Sequence, residues 1–278
     1  MRFFSRVAVL AATLLIALAA AAPAMAAKPV HLALGDSWAF GFGATVPSEG
    51  GYVPLLNQAL KSEFDCSPSD NPKPDQACQQ LELQNIAVGG ATTPTMIANQ
   101  FPTALPLLEE RNSDSNPRDN VEVVTVSIGG NDVTNPIIQA CIFGGLTPAC
   151  IGVIESELAA YRSDLDQALS ALREAAGPDA RIVLGTYDNG LGQCFLTQLN
   201  PAAPLLADIV LENQPAVIPS GQGLHDIMRD VAADYDVEIA EVFGDLGPAD
   251  WVGGSDCLHP DDSGYEKVAA AFAEVLQN

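Results

Sequence analysis

Short apolar or β-branched runs alternate with longer amphipathic stretches along the chain. The runs are VHLAL from Val30, LELQNIA from Leu81, VEVVTVSI from Val121, RIVLGTY from Arg181 and VEIAEVF from Val237. Their length and composition predict strands. Glu155 to Ala176 places Leu158, Tyr161, Leu165, Ala168, Leu169 and Leu172 on one face and stops at Gly177-Pro178, as a helix should. Further helices are expected over Gly50 to Lys61, near Leu224 to Tyr235, and over Asp262 to Leu276. Strands alternating with helices predict an α/β fold, a parallel sheet covered on both faces. One domain from residue 28 to 278 accommodates the pattern. The Pro-, Gly- and Asp-rich stretches Ser67 to Gln76, Asn112 to Asn120 and Asn213 to Gly223 read as loops.

Ligands of such sheets bind at the carboxyl ends of the strands. The first run ends at Gly35-Asp36-Ser37, the second leads into AVGGATT from Ala87, and the third into GGND from Gly129. Polar, glycine-rich turns therefore converge on one edge.

The amino terminus follows a different pattern. Arg2 and Arg6 precede an apolar stretch, Val7 to Ala22, and then Ala24-Met25-Ala26, a small-x-small cleavage site. The stretch is shorter than the ~20 residues of a membrane span, so residues 1–26 read as a secretory signal peptide. An exported product, extracellular or periplasmic, without stable membrane insertion is expected. The formal charge is −23, and loss of both leader arginines takes it to about −25. Such a surface repels nucleic acid and anionic lipid, leaving a small-molecule, lipid or polysaccharide substrate as the expected partner.

Six cysteines in an exported chain point to disulfides, with 15 connectivities possible. Sequence proximity suggests Cys66 with Cys78 and Cys141 with Cys150, which leaves Cys194 for Cys257. The spacings lack the tight Cys/His clusters of a zinc site, and no metal is expected.

A serine nucleophile at Ser37 needs a base, and three histidines are available. His31 lies inside the first strand, upstream of its carboxyl end, and is expected to pack or face a neighbour. His225 opens a helix, with no acid in an orienting position beyond Asp226, which points elsewhere. His259 sits in SDCLHPDDSGY, three residues after Asp256. On a tight turn that spacing puts carboxylate and imidazole on one side. Asp256 can then take the Nδ1 proton while Nε2 faces Ser37. Asp256 as a simple turn cap beside a surface histidine is the alternative. Backbone N–H groups at Gly89 and Gly90 and the Asn131 amide could serve a tetrahedral oxyanion.

These residues resemble the SGNH or GDSL-type serine esterases and lipases. ALGDSWAFG resembles the nucleophile block with Ser37, and NIAVGGATT the second block with Gly90 as oxyanion glycine. SIGGNDV resembles the Gly-x-Asn-Asp block with Asn131, and SDCLHPDDSGY the Asp-x-x-His block with Asp256 and His259. The resemblance implies a doubly wound fold of about five parallel strands in flavodoxin-like order. It implies a Ser37, His259 and Asp256 triad, with an oxyanion hole of Ser37, Gly90 and Asn131. It also implies no metal or organic cofactor and a more open site than lidded lipases have. The Cys141 and Cys150 pair is similar to that of secreted bacterial members.

Trp38, Phe40 and Phe42 could wall a pocket, but core packing of at least two of them is the expectation. The Asn189 to Gln214 segment is expected as an ordered loop rimming the site. The expected activity is hydrolysis of carboxylic esters through an acyl-enzyme. The alternatives are an exported ester- or sugar-binding protein, or a deacetylase or thioesterase for a non-lipid acyl group.

Overall fold

Strand β1 (Val30–Gly35) is buried at every residue, as an uninterrupted apolar run must be when helices cover both faces of its sheet. The computed structural model describes residues 28–64, 81–141 and 145–277. After β1 come α1 (Ser37–Phe40), α2 (Pro47–Gly50), α3 (Tyr52–Phe64), β2 (Glu82–Asn85), α4 (Thr93–Asn99), α5 (Phe101–Asn112) and β3 (Val121–Ser127). They are followed by α6 (Gly130–Cys141), α7 (Pro148–Ala176), β4 (Arg181–Gly185), α8 (Leu196–Leu199), α9 (Ala203–Glu212), α10 (Leu224–Asp234), β5 (Glu238–Ala240) and α11 (Asp262–Leu276). The expected leader at 1–26 and the Cys66–Cys78 pairing lie outside the described residues.

The described strands form one sheet in the order β2-β1-β3-β4-β5, with every pair parallel. The edge strands β2 and β5 are short and only partly buried. This is the expected doubly wound α/β arrangement with flavodoxin-like order. Residue Gly35 of β1 is level with Ser127 of β3. The chain leaves β1 for β2 on one side and β3 for β4 on the other, so a crevice opens where these two strands end. Ser37 and Asn131 both follow that switch point within a few residues.

Both faces of the sheet carry a packed layer. On one, α3 and α11 pack together, with the Tyr52 and Phe272 rings stacked 4.7 Å apart. On the other, α7 lies against α5 and α10, and its buried Leu158, Tyr161, Leu165 and Leu169 form the expected stripe. The helix starts earlier than Glu155 because Thr147 accepts the Cys150 N–H and Pro148 occupies the first turn, a strong start signal. The Cys141–Cys150 disulfide joins the end of α6 to that first turn.

The Asn189 to Gln214 segment is not a loop. It folds into a 3-10 turn (Gly190–Gln193), α8 and α9. Proline here starts α9 within its first turn, and Asn213, at φ 50°, ends it in the left-handed conformation that asparagine tolerates. Core packing of two of the three aromatics after Ser37 is also corrected. Trp38 is buried at 4% exposure, whereas Phe40 and Phe42 are 46% and 52% exposed. Gly41 ends α1 in the left-handed conformation after a single turn, so the chain leaves the core at that point.

Candidate active site

The edge of the sheet is built by backbone capture. Gly35, at φ 130°, lies so close to β3 that a Cβ would stand 2.0 Å from the Ser127 carbonyl oxygen, which excludes any side chain there. The Gln100 amide brackets the same glycine, accepting its N–H at 2.9 Å and donating to its carbonyl at 2.7 Å. Asp36 then caps α1 by accepting the Trp38 N–H at 2.9 Å. Ser37 thus stands in the first position of a helical turn at the end of β1.

His259 reaches this serine from the other end of the chain. Its Nε2 lies 2.9 Å from Ser37 Oγ, and its Nδ1 lies 2.8 Å from Asp256 Oδ2. A carboxylate only accepts, so in the neutral ring Nδ1 carries the proton and Nε2 is free to accept from the hydroxyl. Asp256 is itself fixed, because its Oδ1 accepts the N–H groups of Leu258 and His259, both at 3.0 Å. Asp261 caps α11 directly after this turn by accepting the Gly264 N–H at 3.0 Å. The Phe42 ring lies 4.6 Å from the imidazole.

The other candidate residues are drawn to the same place. Gly90 sits at φ 79° in the turn after β2, a conformation that glycine adopts without penalty. The Asn131 amide donates to the Ala91 carbonyl at 3.0 Å, and both oxygens of Asp132 accept the Thr93 N–H at 3.0 Å. The start of α6 is therefore stitched to the turn that carries Gly90. Ser37, Gly90, Asn131 and His259 all line one cavity of about 400 Å³. Trp38 and Phe42 line it too. A Cys194–Cys257 disulfide fastens the Asp256 turn to the segment after β4.

The remaining histidines are occupied elsewhere. Buried His31 is 2.9 Å from Thr125 Oγ1, and burial lowers its pKa to about 4. The expectation that His225 lacks an orienting acid is corrected: its Nδ1 is 2.6 Å from Glu212 Oε1, at the end of α9. Its Nε2 accepts the Tyr187 N–H at 3.1 Å, so this ring ties α9 and α10 to the end of β4. Bonded to His225 and Arg229, Glu212 is held down at about 2.

Sequence reasoning missed Tyr187, whose hydroxyl donates to Asp36 Oδ2 at 2.6 Å inside the cavity wall. Its signal was its place just beyond the fourth strand, on the same edge as the other candidates. Burial pushes Asp36 up to about 7 against the opposing Tyr187 and Trp38 hydrogen bonds. Burial likewise lifts Asp132 to about 6. Among the described residues, no cluster of His, Cys, Asp or Glu side chains is arranged to hold a metal ion.

A sequence profile described as the GDSL-like lipase/acylhydrolase family matches residues 33–267. The chain belongs to that family. It is accordingly a carboxylic ester hydrolase. Comparison with curated proteins gives no match. Among solved structures, the chain is similar to an extracellular lipase from Streptomyces rimosus, at 20% identity and a TM-score of 0.54, over 90% of this chain and 99% of that one. It is similar to a phospholipase A1 from Streptomyces albidoflavus NA297 at 20% identity and a TM-score of 0.55, with the same coverage. An acetylxylan esterase from Geobacillus stearothermophilus aligns at 15% identity and a TM-score of 0.55, over 91% of this chain and 97% of that one. These likenesses establish the fold of this GDSL-family hydrolase.

Proposed function

We propose that the chain is an exported serine esterase in which Ser37 is the nucleophile, His259 the general base and acid, and Asp256 the orienting carboxylate. The observation that carries this reading is the position of His259, 2.9 Å from Ser37 Oγ and 2.8 Å from Asp256. A turn cap with a surface histidine would need no serine at Nε2. One domain from residue 28 to 278 carries the whole site, and export rests on the leader pattern at 1–26. Among the described residues no helix is long and apolar enough to cross a membrane.

In the reaction, the Ser37 proton passes to His259 Nε2 as Oγ bonds to the acyl carbon. The ester oxygen leaves as the C–O bond breaks and takes that proton from Nε2. Water then repeats the sequence on the acyl-enzyme, with His259 again accepting a proton and returning it to Ser37. The N–H groups of Ser37 and Gly90 and the Asn131 amide hold the oxyanion in both halves. Asp256 fixes the imidazole tautomer and stabilises its charged form.

Purified protein should hydrolyse p-nitrophenyl esters and react with a fluorophosphonate at Ser37. Ser37→Ala should lose at least ~10⁴-fold in kcat with its fold intact by circular dichroism. An unreactive parent chain, or a Ser37→Ala variant of full activity, would overturn the proposal.

A further inference from the structure

The cavity at Ser37 does not end there. It continues between α6 and α9, walled by Val133, Ile137 and Ile138 on one side and Leu206, Ala207 and Val210 on the other. On a helix, positions i, i+3 and i+7 share a face, which in α6 puts Asn131, Thr134 and Ile138 in one line. A carbonyl held at Asn131 therefore has the apolar wall of α6 running directly away from it. At about 400 Å³, the space lies within the ~300–1,000 Å³ range of small-molecule sites.

The opposite wall is anchored at both ends. The Asn189 amide donates to the Pro204 carbonyl in the first turn of α9 at 2.9 Å and to Asp208 Oδ1 in the middle of that helix at 2.7 Å. At its other end Glu212 is held by His225 at 2.6 Å. The groove is thus preformed. An acetyl group would leave most of its apolar wall against water, whereas a longer alkyl chain would cover it.

Charge narrows the substrate further. A second, shallower cleft opens beside His259, lined by Leu196, Ser255, Asp256 and Cys257, with Ile138 on the divide between the two spaces. None of the lysines or arginines among the described residues lines either space, while Asp188 and Asp256 do. A phosphate or carboxylate on the substrate would meet acidic walls in a strongly acidic chain.

We propose that the substrate is an uncharged ester of an aliphatic acyl chain, with the chain laid between α6 and α9 and the alcohol portion on the His259 side. The proposal rests on the serine-esterase reading above. It makes Ala207 and Ile138, on facing walls, determinants of acyl-chain length.

The test uses p-nitrophenyl esters from acetyl to decanoyl with the mature chain. The value of kcat/KM should rise roughly fourfold per added methylene until the groove is filled. Ala207→Phe should lower the decanoyl-to-acetyl ratio of kcat/KM by at least about tenfold, and Ile138→Trp should do so from the facing wall. In neutral detergent micelles, didecanoylglycerol should be cleaved at least about tenfold faster than didecanoyl phosphatidylglycerol at low salt, and added salt should narrow the gap. Turnover confined to acetyl esters, variants that leave the ratio unmoved, or equal cleavage of the anionic lipid would overturn this proposal and leave the serine esterase standing. Failure to cleave any ester, together with an unlabelled Ser37, would instead remove the reading beneath it.

Discussion

The indole Nε1 of Trp38 donates to the carbonyl oxygen of Leu258 at 2.8 Å. Trp38 follows the candidate nucleophile and Leu258 precedes the candidate base, so one hydrogen bond ties together two turns 220 residues apart. The ring is held edge-on by Tyr187 at 5.1 Å and Trp251 at 6.1 Å, which fixes the donor's direction. Trp38→Phe keeps an apolar body but removes the N–H. The Ser37 to His259 distance should become less well defined. We expect kcat to fall about tenfold and stability to drop by about 1 kcal/mol. Steady-state kinetics with thermal melts check this; a rise in KM with unchanged kcat would contradict a positioning role.

On the proposed reading Asn131 has two tasks in one side chain. One amide hydrogen is committed to the Ala91 carbonyl, and the second is the one the proposal assigns to the oxyanion. Asn131→Ala should lower kcat by ~10²–10³-fold, the effect of losing one such donor, while fluorophosphonate still finds Ser37. Its melting temperature should fall only slightly, because the Asp132 bonds to Thr93 still hold the turn. Near-normal kcat in a folded variant would remove Asn131 from the oxyanion hole.

What could be read from the sequence divides along physical lines. Central strands β1 and β3 were legible because burial on both faces demands unbroken apolar runs, and α7 because its stripe repeats with the helical period. The Asp256 and His259 relation was legible because it is local, three residues on one turn. Partners joined only by tertiary folding were not. Tyr187 and Asp36 are 151 residues apart, and Glu212 meets His225 across two separate helices. Prolines hid α9, since the same residue begins a helix or breaks one according to position. At least two of Trp38, Phe40 and Phe42 are expected in the core, whereas the single-turn length of α1 buries Trp38 and leaves Phe40 and Phe42 exposed.

Two buried ionisable groups pull stability in opposite directions with pH. Asp36 has its pKa raised from 3.8 to about 7 by burial, so the folded state binds its proton more tightly than the unfolded chain. Its penalty is absent below about pH 4 and complete above about 7, and stability from this group falls as pH rises. His31 is lowered from 6.5 to about 4, so its penalty is absent above about pH 6.5 and complete below about 4. Denaturant titrations between pH 4 and 8 should therefore show Asp36→Asn flattening the loss on the alkaline side. His31→Gln should flatten the loss on the acid side. Parallel pH profiles for parent and both variants would contradict these assignments.

The Cys194–Cys257 disulfide places a covalent tie inside the Asp256 to His259 turn. The Phe195 N–H donates to the Gly254 carbonyl at 2.9 Å beside it, so one covalent and one polar link join the turn to the segment after β4. None of the sheet strands carries either cysteine, and the packing of α3, α7 and α11 does not pass through the bridge. Opening it should free the turn while leaving the core. The bridge spans 63 residues of sequence, and its loss should cost roughly 4 kcal/mol by the loop-entropy relation, part of a typical domain's stability. Under mild reductant, esterase activity should therefore decay while the far-ultraviolet circular dichroism is still native. A Cys194→Ala/Cys257→Ala double variant should fold at 25 °C with a lowered melting temperature and reduced kcat. Activity and structure lost together along one reductant titration would show that the bridge supports the whole fold rather than the turn.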